Sequence, residues 1–176
     1  DTTFPYLDRG HCYYRRYESG DEYPLYARRA GSLEAPEQVL LDLDELARGH
    51  EYYDVAEFEV SPDNRLLAYG DDTNGRRQYT LRVKDLQTGE TLPDAIPGTA
   101  GYAVWADDNK TFFYIENDPE TLLSTRVKKH VLGTDPKDDV LVYEETDDTF
   151  YMGVGRTRDD KYIVIGLDST VSNETR

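Results

Sequence analysis

The first chemistry to look for in this chain is a nucleophilic serine, because serine hydrolases place that residue in a G-x-S-x-G turn. None of the serines has glycines at both of these positions. We therefore predict that the chain carries no serine nucleophile of this kind. The serines are Ser19, Ser32, Ser61, Ser124, Ser169 and Ser172.

The histidines and the cysteine offer no metal-site spacing. His11, His50 and His130 are far apart in the sequence and do not form an H-E-x-x-H motif or another paired-ligand motif, so we interpret them as structural or surface residues. Cys12 is the single cysteine, which rules out an internal disulfide and fits a reducing compartment. We expect Cys12 to be an ordinary strand residue, and we expect no metal and no cofactor.

Two kinds of charged motif allow a functional and a structural interpretation. Asp71-Asp72-Thr-Asn-Gly75 faintly resembles a calcium loop but lacks the glutamate at the twelfth position, so we predict a turn. The pairs Arg15-Arg16, Arg28-Arg29 and Arg76-Arg77 could face another domain or a peptide channel. Because 36 acidic residues surround them, pairing with carboxylates at the surface is favoured.

The composition indicates a folded, acidic protein. Its net charge is −16, yet 38% of its residues are hydrophobic and 12% aromatic, too many for a disordered chain. Negative charge disfavours nucleic acid and anionic membranes as partners. It would either attract basic peptides or simply keep the protein soluble, and the sequence does not decide between the two. With no membrane-span pattern and no signal peptide over Asp1 to Asp8, a cytoplasmic location is expected.

The elements that position these residues follow the pattern of one unit, Glu57 to Pro93. It contains a hairpin around Ser61 to Asn64, an alternating strand from Gln78 to Val83 and a short strand at Thr91-Leu92. These runs predict a small antiparallel sheet with one apolar face.

The hairpin of this unit returns twice, at Tyr102 to Ile115 and at Gly153 to Ile165. The spacing of 45 and 51 residues is close to that of four-stranded propeller blades, which must stack to bury their apolar faces. We therefore predict an all-β fold, a partial β-propeller of about three and a half antiparallel blades. The turn residues that set the spacing are Asp63, Asp108 and Asp159.

The predicted blades cover residues of about 11–46, 47–97 and 98–146, with an incomplete fourth at about 147–176. In the first, Pro24 indicates that the second strand either lies at an edge or begins there, and Asp44 to Gly49 favours one helical turn. In the fourth, a third strand is expected from Thr170 to Thr175. The chain lacks an initiator methionine and is expected to be a fragment. Its uncovered blade faces predict self-association, which a monodisperse monomer in sedimentation would contradict.

Taken together, the order and spacing of several short motifs resemble the propeller of the prolyl oligopeptidase family, and within it the oligopeptidase B (protease II) subfamily. Asn64 stands where a glycine is usual, and asparagine also accepts left-handed geometry. The motifs are Ser61 to Tyr69, Asp72 to Gly75, Tyr79 to Val83, Asp85-Leu86, Thr88-Gly89, Tyr13 to Tyr17, Glu22 to Arg29, His130 to Thr134 and Asp139 to Glu145.

The resemblance implies a serine peptidase whose Ser, Asp and His lie in an α/β-hydrolase domain after the propeller. It also implies a seven-bladed ring that admits only short peptides, and cleavage after lysine or arginine. In this family the acidic residues that bind the lysine or arginine side chain of the substrate belong mainly to the hydrolase domain. The resemblance therefore assigns no catalytic residue to any position of this sequence. The alternative is a free-standing propeller that serves as a scaffold for a protein partner.

Overall fold

A computed structural model describes residues 2–169 and 173–176, which form two compact units, Asp1–Asp54 and Val55–Arg176. Each unit is built almost entirely from antiparallel strands, which confirms the all-β prediction. In the described ranges the helices are a single α-helical turn at Leu43–Leu46 and a 3-10 turn at Pro136–Asp138, and neither is long or apolar enough to cross a membrane.

The first unit is a four-stranded sheet in which each strand pairs with its neighbour in sequence. As predicted, the chain enters a strand directly after Pro24. The first strand was not predicted, because its three residues are all exposed and show no alternation. The elements are β1 Tyr6–Asp8, β2 His11–Arg16, β3 Leu25–Ala30, β4 Glu37–Asp42 and α1 Leu43–Leu46.

The predicted helical turn forms, but it begins slightly earlier than expected. Asp42, not Asp44, is the N-cap, and its carboxylate accepts the backbone N–H of Glu45 at 3.2 Å. Both aspartates suit an N-cap, since a short side-chain oxygen can reach a free N–H of the first turn.

The second unit contains a seven-stranded sheet in which the strands lie side by side in the order of the sequence. Leu81 and Val83 are buried while Arg82 and Lys84 are half-buried, which matches the predicted alternation in this strand. The strands are β5 Asp54–Val60, β6 Leu66–Asp72, β7 Tyr79–Asp85, β8 Thr91–Trp105, β9 Thr111–Asn117, β10 Ser124–Val131 and β11 Val140–Glu144.

Strand β8 is much longer than the Thr91-Leu92 strand expected from the sequence. Its first part pairs with β7 and its last part with β9, so one continuous strand belongs to two successive four-stranded groups. Gly101 has a φ of +96°, which favours glycine, and a Cβ added at Gly70 would lie 2.4 Å from the carbonyl oxygen of Gly101. The blade boundaries stay predictions; the one expected between residues 97 and 98 lies inside this strand.

The last part of the chain forms a three-stranded antiparallel sheet of β12 Tyr151–Arg156, β13 Ile163–Asp168 and β14 Asn173–Thr175. The predicted third strand is therefore present over 173–175, while its residues 170–172 lie outside the described ranges.

The three-stranded sheet packs against the β8 to β10 part of the larger sheet. Both sheets contribute apolar side chains to one buried cluster, as stacking of the repeats requires. A second cluster, centred on Trp105, Phe112 and Tyr114, joins β8 and β9 to β6 and β7. The buried members of the first cluster are Val104, Ile115, Val127, Met152, Val154 and Leu167.

The three repeated hairpins share one turn chemistry. In each turn the aspartate that set the repeat spacing accepts a backbone N–H two residues later: Asp63 at 3.1 Å, Asp108 at 3.0 Å and Asp159 at 3.3 Å. The residue after each aspartate is left-handed, with φ of 63°, 58° and 58° at Asn64, Asn109 and Asp160. The prediction that asparagine serves at position 64 is thus confirmed.

Candidate functional site

The histidines lie in three different environments. His11 is half-buried, with Nδ1 3.4 Å from the carbonyl oxygen of Arg9, and His50 is exposed beside Tyr53. His130 is fully buried in the second unit. Among the described residues, no group of three or more His, Cys, Asp or Glu side chains is arranged to hold a metal ion.

His130 lies between two buried carboxylates. Its Nδ1 is 2.7 Å from Asp139 Oδ1, and its Nε2 is 2.7 Å from Asp94 Oδ2. Tyr114 donates its hydroxyl to the other oxygen of Asp139 at 2.7 Å, and burial together with this hydrogen bond raises the pKa of Tyr114. These hydrogen bonds join β8, β9 and β10 to the residue just before β11. Because the His130 ring is 0% exposed, it offers no surface to a substrate.

Little in the sequence indicates this cluster. Asp94 lies 36 residues before His130 and Asp139 nine residues after it, and neither spacing matches a ligand or catalytic motif. A buried histidine at the end of an alternating strand is the one local signal, and it fits the structural interpretation.

The acidic loop after β6 folds as a turn. Asp72 accepts three backbone N–H groups, from Asn74 at 2.9 Å, Gly75 at 3.1 Å and Arg77 at 2.9 Å. Asp71 pairs with Arg82 at 3.0 Å. Both oxygens of Asp72 therefore serve the loop backbone, in the manner of an Asx turn.

The arginine pairs differ from one another. Arg16 forms ion pairs with Glu18 and Glu37, and Arg28 is buried with its Nε donating to Gln38 at 2.7 Å. Arg76 and Arg77 are exposed and make no side-chain ion pair within the described ranges. Within the described ranges, the predicted pairing with carboxylates is therefore seen for one arginine of each first-unit pair, Arg16 and Arg29, the latter 3.8 Å from Glu37, and not for the third pair.

Glu37 is the centre of a polar network in the first unit. Arg16 donates to both of its oxygens, at 3.0 Å and 2.7 Å, and Tyr14 donates its hydroxyl to the same carboxylate. The hydrogen bonds from Arg16 outweigh the effect of burial and lower the pKa of Glu37 from 4.5 to about 2. Glu37 therefore stabilises the fold as the charged form.

We expect Glu37→Gln to lower the stability of the first unit by about 1–2 kcal/mol at pH 7, allowing for its partial exposure. The pKa of Glu37 is lower in the folded state, so its stabilisation is complete above pH 4.5 and is lost as the pH falls towards 2. Urea denaturation at pH 7 and at pH 2 measures the stability difference between the variant and the unaltered chain. Glu34→Gln, at an exposed site, is the matched control. An equal stability difference at pH 7 and pH 2 would contradict it.

An open cavity of about 290 Å³ lies between the β9–β10 loop and the segment that joins β11 to β12. Five of the twelve residues that line it are acidic, and the one basic residue among them, Arg126, lies with its Nε 3.2 Å from a carboxylate oxygen of Glu144. Hydrogen bonds lower the pKa of three of the carboxyls: the backbone N–H of Thr121 for Asp118, the Tyr143 hydroxyl for Glu145 and the Thr149 hydroxyl for Asp147. The acidic residues of the wall are Asp118, Glu144, Glu145, Asp147 and Asp148.

This cavity was not predicted. Its acidic residues come from segments more than twenty positions apart, and the sequence shows them as one aspartate in a loop and one acidic run after a strand. An acidic surface of this kind suits a cationic group, which agrees with the sign of the whole chain's charge.

Comparison with known proteins gives one consistent result. The model of the prolyl oligopeptidase N-terminal β-propeller domain matches residues 1–176. The chain is 55% identical to dipeptidyl aminopeptidase BI of Pseudoxanthomonas mexicana, over 100% of this chain and 26% of the relative. It is 35% identical to protease 2 of Moraxella lacunata, over 92% of this chain and 24% of the relative.

Solved structures agree with this match. Oligopeptidase B from Leishmania major superposes with a TM-score of 0.92 at 31% identity, over 99% of this chain and 25% of that structure. Oligopeptidase B from Trypanosoma brucei gives a TM-score of 0.90 at 29% identity, over 99% and 25% respectively. The predicted partial β-propeller is thereby confirmed, and the chain spans about a quarter of the length of the relatives it matches.

Proposed function

The chain belongs to the prolyl oligopeptidase family as its N-terminal β-propeller domain, and on this premise we propose that it gates access of short peptides to a serine peptidase site. The proposed substrates are peptides cleaved after lysine or arginine. Support comes from the likeness to protease 2 and to oligopeptidase B, and from the excess of 36 acidic over 20 basic residues.

The proposed chemistry belongs to a part of the protein outside this sequence. No G-x-S-x-G occurs here, and among the described residues the buried histidine is enclosed by two carboxylates with no serine beside it. We propose an α/β-hydrolase domain with Ser, Asp and His as the partner that this propeller covers. The proposal that the hydrolase domain performs the catalysis and the propeller covers it rests on one observation: this peptidase-family propeller contains no nucleophile motif.

The test compares the 176-residue chain with its complete parent protein on an arginyl reporter peptide. The parent is expected to cleave after arginine, and the chain alone is expected to leave the reporter intact. Turnover that follows the purified chain through fractionation would overturn the proposal.

A second candidate reaction is the release of dipeptides from free amino termini. The 55% identity to dipeptidyl aminopeptidase BI favours it, since that relative is named for this activity. Peptides that differ only in whether the amino terminus is free or acetylated separate the two: an endopeptidase cleaves both, and a dipeptidyl aminopeptidase requires the free amine.

The acidic charge predicts a salt effect on the parent enzyme. Raising the ionic strength from 0.01 M to 0.15 M is expected to lower kcat/KM for a dilysine-containing peptide by roughly tenfold, because screening weakens electrostatic steering. An uncharged peptide of equal length is the control and should change little. Equal salt dependence for both peptides would leave solubility as the role of the charge.

A further inference from the structure

Strand β11 is one of the two edge strands of the seven-stranded sheet, with β5 as the other. It pairs with β10 on one side and is the last strand in the spatial order of the described strands. An edge strand presents backbone N–H and C=O groups that another extended chain can pair with. A short peptide can therefore add to the sheet here as a further strand.

The middle of this edge is apolar and accessible. Val140, Leu141 and Val142 are 54%, 47% and 46% exposed, and no charged residue interrupts the run from Val140 to Tyr143. Proteins usually protect an edge with lysine, proline or inward-pointing charge. The opposite edge of the same sheet, β5, carries the exposed Glu57 and Glu59, and the edge strand β4 of the first unit begins with Glu37 and ends with Asp42.

A bulge limits what can pair with β11. Tyr143 lies opposite Val127 and Leu141 lies opposite Lys128, which leaves Val142 without a partner on β10. A bulge bends its strand and breaks the regular ladder. A flexible peptide of a few residues can follow such an edge, whereas two rigid copies of it would pair poorly.

The edge leads directly into the acidic cavity. Glu144 is both the last residue of β11 and a wall residue of the cavity, and Asp147 and Asp148 follow it on the same wall. Asp148 is exposed and has no partner within the described ranges, so its carboxylate is available to a ligand. The apolar edge and the negative charge thus lie on one continuous stretch of chain.

We propose that the β11 edge and the adjoining cavity bind a short extended peptide that carries an apolar residue next to lysine or arginine. The apolar residue would cover Val140 to Val142, the peptide backbone would pair with the strand edge, and the cation would enter the cavity. A second copy of the chain fits less well, because two molecules of net charge −16 repel and the bulge disrupts edge-to-edge pairing. This site deepens the proposed function, and it rests on that function for peptides as the substrate class.

The test measures fluorescence anisotropy of a fluorescein-labelled peptide of alternating lysine and valine with the purified chain. The double variant Val140→Ser with Val142→Ser should bind about tenfold more weakly, because it removes two exposed apolar side chains without changing charge. Val39→Ser, at a 41% exposed valine of edge strand β4, is the matched control and should bind as the unaltered chain does.

Three further probes separate strand addition from simple charge attraction. A peptide with N-methylated amides keeps its charge but cannot pair with a strand edge, and its affinity should fall at least tenfold. A peptide with glutamate in place of lysine should not bind, and Asp148→Asn should weaken binding of the basic peptide about threefold. Unchanged binding of the N-methylated peptide, or of the double serine variant, would overturn the proposal.

Sedimentation identifies the competing occupant. A dimer that dissociates in the double serine variant, together with no peptide binding, would assign this edge to a second copy and refute the proposal. The proposed function fails separately: a complete parent that binds the peptide at β11 but never cleaves it would remove the peptidase assignment while leaving this site in place.

Discussion

Replacing Trp105 with alanine is expected to reduce the free energy of unfolding of the second unit by about 3–5 kcal/mol. The side chain is 1% exposed, its ring contacts Phe112 edge-on at 5.3 Å, and its Nε1 donates to the carbonyl oxygen of Glu59 at 2.9 Å. The variant therefore loses core packing between β8 and β9 and leaves the acceptor on β5 without its donor. A loss of this size is comparable to the total stability of many domains.

Trp105→Phe is the control for this prediction. It keeps most of the aromatic packing and removes the hydrogen bond to Glu59, so a loss of about 1–2 kcal/mol is expected. Because Trp105 is the single tryptophan of the chain, urea denaturation should be followed by far-ultraviolet circular dichroism rather than by fluorescence. If the alanine variant unfolded at the same urea concentration as the unaltered chain, the inferred role of Trp105 in joining the strands would be wrong.

Replacing His130 with alanine is expected to cost a similar 3–5 kcal/mol, for a different reason. The change leaves Asp94 and Asp139 buried without the ring nitrogens that now lie 2.7 Å from each of them. Asp139 then keeps the Tyr114 hydroxyl as a donor and Asp94 keeps the Gly133 N–H, but two buried carboxylates that have each lost a hydrogen-bond partner are more costly than the loss of one imidazole's packing. Urea denaturation measures this effect as well.

Two control variants identify the cause of the His130 effect. His50→Ala, at an exposed histidine, should change stability by less than about 0.5 kcal/mol. Adding Asp94→Asn and Asp139→Asn to His130→Ala should restore part of the loss, since the unpaired charges are then removed. A triple variant that is no more stable than the single one would show that packing, not charge, dominates.

The repeated hairpins could be predicted from sequence because their signals are local. Each turn has an aspartate followed by a residue that tolerates left-handed geometry, and apolar residues alternate in strands such as β7. The continuous course of β8 could not be predicted in the same way. Pro93, Pro97 and Gly98 are usually read as strand breakers, yet irregular pairing of β8 with β7 accommodates them.

The candidate site depends on contacts that sequence spacing does not report. The three histidines look equivalent in the sequence, and the fold alone makes His130 the one enclosed by carboxylates. The acidic cavity forms because the β9–β10 loop reaches the segment after β11, two stretches with no shared motif. The order of the short motifs is enough to indicate the family, whereas the cavity and the exposed edge of β11 arise only from the three-dimensional fold.

Strand β8 also decides how mechanical load passes through the second unit. The first part of β8 pairs with β7 and its last part pairs with β9. The strands before β8 and the strands after it therefore share one backbone, and separating them requires breaking hydrogen bonds made by β8. The sheet formed by β12 to β14 shares no strand with its neighbour: residues 145–150 link the two covalently, and the buried cluster and a hydrogen bond from Val154 N–H to the Tyr102 hydroxyl hold them together. Under tension, we expect this packed interface to separate before the seven-stranded sheet unfolds.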